Sequence, residues 1–105
     1  MKKIEAVIRH FKLTEVINAL RDVGVSGAVI SEVMGAGRLE GQNEIHRPTG
    51  YGEGDLNPKI KIEMVVQDGI SAVAVVAIIR VCRTGKPGDG KVFVSDIFEM
   101  VSIRT

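Results

Sequence analysis

Two stretches far apart in the chain, Lys2 to Arg9 and Ile60 to Val66, alternate their side chains with a period of two, and each is followed by an apolar repeat of helical spacing. In the first, Ile4, Ala6 and Ile8 share a face against Lys3, Glu5, Val7 and Arg9; in the second, Ile60, Ile62, Met64 and Val66 share one. Alternation of this kind belongs to a strand with one buried face. Leu13, Val16, Ile17 and Leu20 then mark a helix opened by Lys12 or Thr14 and closed by Gly24, where a left-handed C-cap is easily adopted. Ile70, Val73, Ala74, Ala77, Ile78 and Val81 mark a second helix, with Asp68 as its expected N-cap. A unit of strand and helix used twice leaves few ways to bury both apolar faces.

The remaining apolar runs complete the pattern. Ala28 to Met34, rich in β-branched residues and stopped by Gly35, reads as a strand, and Val92 to Val94 as a short one that Met100 to Arg104 extends or follows. The order strand, helix, strand, strand, helix, strand predicts an α+β, ferredoxin-like βαββαβ fold, with an antiparallel sheet carrying two helices on one face. The 105 residues fit a single domain, 1–105, whose core is adequate but not generous, so oligomerisation would help it.

Composition narrows the function. A net charge of +1 and 4% aromatic residues supply neither a basic footprint nor stacking platforms, which argues against a nucleic-acid partner. The longest apolar run, Ile70 to Val81, is too short to cross a bilayer, and Glu5 and Arg9 interrupt any signal-peptide core, so no membrane insertion is expected. A single cysteine, Cys82, suits a reducing, cytoplasmic setting.

Between Gly35 and Pro58 periodicity stops, and Gly37, Gly41, Pro48, Gly50, Gly52 and Gly54 punctuate scattered charge. So long an unpatterned stretch in so small a domain predicts a long mobile loop between strands 2 and 3, at about 37–57, with a functional role. Tyr51, the only tyrosine, lies between two of its glycines, where little would bury it. His10 and His46 stand apart without a cysteine or acidic cluster, so no metal site is expected. Glu44, Glu53 and Asp55 read as solvated loop charge rather than catalytic acids, and no enzyme is expected. Arg9 and Lys59 could bind a carboxylate effector at the loop base, or could pair with an acid such as Glu63.

Thr84-Gly85-Lys86-Pro87-Gly88-Asp89-Gly90-Lys91 concentrates glycines, two lysines and an acid between the second helix and the last strand. Glycines let backbone amides approach a ligand and lysines add positive charge, a composition suited to phosphate. The spacing Gly85, four residues, Gly90, Lys91 approaches a P-loop, but Val92 replaces the magnesium-binding Ser or Thr, and helix precedes strand instead of following it. Pro-Gly-Asp-Gly is also ordinary turn chemistry, so this segment by itself leaves both readings open.

These residues resemble the P-II nitrogen-regulatory signalling family. The matching pieces are Met1-Lys2-Lys3-Ile4, Phe11-Lys12-Leu13, Glu32-Val33 before Gly35-Ala36-Gly37-Arg38, Pro58 to Glu63, Thr84-Gly85-Lys86 with Gly88-Asp89-Gly90-Lys91, and Ile103-Arg104-Thr105. The resemblance covers essentially the whole chain. It implies a cytoplasmic, non-catalytic homotrimer that binds ATP or ADP in clefts between subunits and controls a target enzyme or membrane transporter through its long loop, in nitrogen regulation. Carried onto matching positions, it makes Gly35, Gly37, Arg38, Lys59, Gly88, Asp89, Gly90, Lys91 and Arg104 the nucleotide site, with Arg104 reaching in from the neighbouring subunit. It makes Arg9, Lys59 and Gly41 candidates for effector binding, and Tyr51 for uridylylation.

Departures from the family pattern bear on the ligand. Leu39 stands where the family usually has a Gln that coordinates magnesium and helps bind 2-oxoglutarate, and an aliphatic side chain offers no oxygen ligand. Ser102 stands where an Arg usually completes the phosphate clamp. The resemblance therefore carries adenine nucleotide further than it carries magnesium or 2-oxoglutarate. It leaves a second reading, a divergent sensor of ADP, AMP or another small effector that regulates a different transporter or enzyme.

Overall fold

In a computed structural model of the chain, residues 1–36 and 56–104 are described. Strand β1 (Lys2–Arg9) leads through a 3-10 turn at His10–Lys12 into α1 (Leu13–Asp22), then β2 (Val29–Ala36), β3 (Leu56–Val66), α2 (Asp68–Cys82) and β4 (Gly90–Asp96). The sheet runs β2-β3-β1-β4 with every neighbour antiparallel. This is the ferredoxin-like α+β arrangement that the pattern predicts.

Register follows from burial. Ile4, Ala6 and Ile8 pair with Met64, Ile62 and Ile60, so the apolar sets of the two central strands lie on one face. There they pack against Val16 and Leu20 of α1 and Ala74, Ile78 and Cys82 of α2 in a single buried cluster. Each fully buried aliphatic side chain contributes about 2 kcal/mol. Two helices cover the two central strands and leave the edges open. Ile30, opposite buried Ile62, is 43% exposed, and Val94, opposite buried Ile4, is 47% exposed.

The end of α1 behaves as its glycine predicts. Gly24 adopts φ 100°, its amide donates to Arg21 O at 3.1 Å, and the Val25 amide donates to Leu20 O at 3.0 Å, the paired bonds of a Schellman cap. The other end places Lys12 at the N-cap without a side-chain cap.

Several boundaries differ from the sequence reading. Gln67, not Asp68, is the N-cap of α2; Asp68 is the first helical residue, and its carboxylate pairs with the Met1 α-amine at 3.0 Å. An acid in a first turn is favoured by the helix dipole whether or not it caps, which makes the two positions hard to separate by composition. Strand β3 starts at Leu56 rather than Ile60, passing through Pro58 where β1 has already ended and β2 is the only neighbour, so the missing amide leaves no gap in a second ladder. Strand β4 starts at Gly90 rather than Val92, and β2 runs on through Gly35 to Ala36. No strand follows Asp96 among the described residues, although the Ile97 amide still donates to Met1 O at 3.1 Å. The expected loop at 37–57 therefore gives up Leu56 and Asn57 to β3, and the rest of it lies outside the described residues.

Candidate functional site

The side chains that alternate with the core occupy the helix-free face of the sheet, and the register sets their order. Arg9 lies opposite Lys59, Val7 opposite Lys61 and Lys91, and Gly35 opposite Asn57. The 83–89 connection from α2 to β4 arrives at this end of the sheet. Between loop and strands lies an open groove of about 520 Å³, floored by Val7 and Phe93 and lined by Gly35, Lys59, Lys86, Gly88, Gly90 and Lys91.

Glycine is required at particular points of this loop. Gly85, Gly88 and Gly90 adopt φ of 83°, 96° and 117°, a region that side chains disfavour. At Gly90 a Cβ would sit 2.1 Å from the Val7 carbonyl oxygen, so only glycine lets β4 begin this close to β1.

The acid in the loop faces its own chain. Asp89 Oδ2 accepts from the amides of Thr84 at 2.7 Å and Gly85 at 3.0 Å, while Oδ1 accepts from the Thr84 hydroxyl and from Arg9 Nη1 at 2.8 Å. The Thr84 hydroxyl and amide, with the Gly85 amide and the Arg9 charge, outweigh partial desolvation and hold the Asp89 carboxyl at about 2. Arg9 Nη2 donates to Pro87 O at 2.8 Å, Lys59 Nζ donates to Gly88 O at 2.9 Å, and the Lys86 amide donates to Thr84 Oγ1 at 3.1 Å. The acid lining the groove is thus paired with Arg9, while Lys59, Lys86 and Lys91 line the groove as cations. Chemically this is a cradle for a polyanion, with positive side chains beside glycine backbone.

Of the residues that the sequence nominates, Gly35, Lys59, Gly88, Asp89, Gly90 and Lys91 meet at this groove. Arg9 lies behind the loop, against Asp89 and Pro87. Glu63, considered as its partner, pairs instead with Lys3 at 3.2 Å, and Glu5 pairs with Lys61 at 3.4 Å. Arg104 is exposed and does not line the groove of its own chain. Gly37, Arg38, Leu39, Gly41 and Tyr51 lie outside the described residues. The sequence reading assigns no role to Thr84, and takes Lys86 only as one of the two positive charges of the loop. A threonine five residues before an aspartate, able to offer it both amide and hydroxyl, is the signal that would have found the first.

Among the described residues no group of three or more His, Cys, Asp or Glu could hold a metal ion, and no helix is long and apolar enough to cross a membrane.

Comparison with known proteins agrees over the full length. The family model for nitrogen regulatory protein P-II matches residues 1–105. The chain is 49% identical over 105 residues to nitrogen regulatory protein P-II 1 of Escherichia coli (strain K12), covering 100% of this chain and 93% of that protein. It is 49% identical, with the same coverage, to nitrogen regulatory protein P-II of Klebsiella oxytoca, and 48% identical to that of Rhodobacter capsulatus, again over 100% and 93%. A fold, a glycine-lysine groove and a match from end to end converge on one conclusion: the chain belongs to the P-II nitrogen regulatory protein family.

Proposed function

We propose that this protein is a non-catalytic signal transducer that binds ATP or ADP in the groove between the 84–91 loop and the sheet. In this reading it acts as a cytoplasmic homotrimer in nitrogen regulation, and controls a target enzyme or membrane transporter through the segment at 37–57. The observation that carries the reading is the convergence of Lys59, Lys86 and Lys91 on a groove walled by Gly35, Gly88 and Gly90. Several cations around backbone donors can hold a polyphosphate, and close glycine backbone leaves room for it. The non-catalytic part is supported by Asp89, whose carboxylate accepts four hydrogen bonds within its own chain and whose low pKa makes it a poor general base. Gly37 and Arg38, and Arg104 of a neighbouring subunit, complete the phosphate contacts in this reading, and Tyr51 is the residue to examine for modification.

Calorimetric titration tests the proposal. ATP or ADP binds the wild-type protein, and Lys91→Ala weakens binding about tenfold or more, the loss of one charge-assisted contact. Absence of binding by ATP, ADP and AMP up to millimolar concentration would overturn it, and steady ATP turnover above the Lys91→Ala control would overturn the non-catalytic part.

A second reading keeps the fold and groove but exchanges the effector: a sensor of ADP, AMP or another small molecule, without 2-oxoglutarate, that regulates a different transporter or enzyme. It draws on Leu39 and Ser102, and on the engagement of both loop-base cations, Arg9 and Lys59, by loop oxygens. A carboxylate effector would have to displace those contacts. Tight 2-oxoglutarate binding that requires magnesium and ATP would eliminate this reading.

A further inference from the structure

We infer that Arg9 serves the groove as a positioning residue, acting through the Thr84–Asp89 clamp and the Pro87 carbonyl to aim the Gly88 amide at the ligand, instead of touching an effector itself. The inference rests on the reading of the groove as a nucleotide site. In a planar trans peptide the carbonyl and the following amide point in opposite directions. Arg9 Nη2 holds the Pro87 carbonyl at 2.8 Å, and Lys59 Nζ holds the Gly88 carbonyl at 2.9 Å. Two successive peptide units are thereby fixed with their carbonyls on the cations and the amides of Gly88 and Asp89 turned the other way. The Gly88 amide donates to no protein group among the described residues, whereas the Asp89 amide closes the turn at Pro87 and Gly88 onto the Lys86 carbonyl. An amide left over in this way can donate to an anion.

The guanidinium has little freedom to do anything else. Its Nη1 pairs with Asp89 Oδ1 at 2.8 Å, and both side chains are 22% exposed. It also packs on the glycine that it positions, since a Cβ at Gly88 would come within 3.1 Å of Nη2. Asp89 in turn is fixed by Thr84 and Gly85. The result is a chain of contacts running from β1 through the carboxylate to the start of the loop. Lys59 differs, because it lines the groove and reaches the loop through a single contact on a flexible stem, so it can also turn toward a ligand.

A double-mutant cycle on ATP affinity, measured by calorimetry, separates positioning from direct contact. Arg9→Gln and Asp89→Asn each weaken ATP about tenfold, and the double variant loses no more than the weaker single. Thr84→Ser retains wild-type affinity, whereas Thr84→Val behaves like Arg9→Gln. Losses that multiply to about a hundredfold in the double variant would overturn the inference, because a residue that touches the ligand keeps its effect when the clamp is gone. Amide hydrogen exchange without nucleotide gives an independent readout. In Arg9→Gln the Thr84 and Gly85 amides exchange about tenfold faster while the central amides of β1 and β3 keep their protection, and unchanged exchange at Thr84 and Gly85 would refute the clamp. A wild-type protein that fails to bind ATP would sink the nucleotide reading, and the exchange measurement would still decide whether Arg9 orders the loop.

Discussion

Asp89 shows how far a side chain's direction can depart from what its neighbours in sequence imply. Flanked by glycines and a lysine, it reads as part of a phosphate cradle, yet its oxygens face Thr84, Gly85 and Arg9. The glycine-lysine composition was legible, because left-handed turns and positive charge have residue signatures. The direction of the carboxylate was not, because its charged partner lies 80 residues earlier and only the β1–β4 pairing brings it near. The low pKa has a sign that can be checked. With the native value at about 2 and the ordinary value at 3.8, the clamp's contribution to stability is fully present above pH 3.8 and is lost as pH falls through 2. Carbon-13 titration of the Asp89 carboxyl is expected to give a midpoint near the lower value in wild type, and one displaced toward 3.8 in Thr84→Val.

At the level of elements, the alternating strands were the clearest part of the sequence, since pleat parity and burial act together over seven or more residues in β1 and β3. Their ends were less legible. Gly90 and Lys91 looked like loop because glycine is depleted in strands, but tertiary contact decides the matter: Gly90 pairs with Ile8 under the Val7 carbonyl. Gly90→Ala should therefore both strain φ and drive a methyl into backbone. The expected cost is about 2 kcal/mol or more, seen as a lower urea midpoint, together with weaker ATP binding, because the strand start and the groove wall are the same residue. A variant as stable as wild type would show that β4 does not need this approach.

For the whole molecule, the exposed apolar surface is the feature that one chain leaves unresolved. Val29, Val65 and Phe93 stand on the helix-free face at 66%, 40% and 54% exposure, and Phe98 and Ile103 near the C-terminus are fully exposed. Composition hinted at association through a modest core, but which residues remain uncovered depends on two helices reaching only the central strands. Sedimentation of the wild-type protein is expected to give three chains per particle, and Phe93→Glu a smaller species with weaker ATP binding. A monomer in wild type would remove the proposed contribution of Arg104 from a neighbour.

Strands β2 and β3 continue past the end of β1, with Met34, Gly35 and Ala36 opposite Pro58, Asn57 and Leu56. Both ends of the stretch between them are consequently pinned at adjacent strand spacing, roughly 5 Å apart. That stretch is a graft on a two-stranded stem. Its length and residues can change without moving Lys59 or Gly35, so the sequence of that stretch and the described groove can diverge independently over evolution.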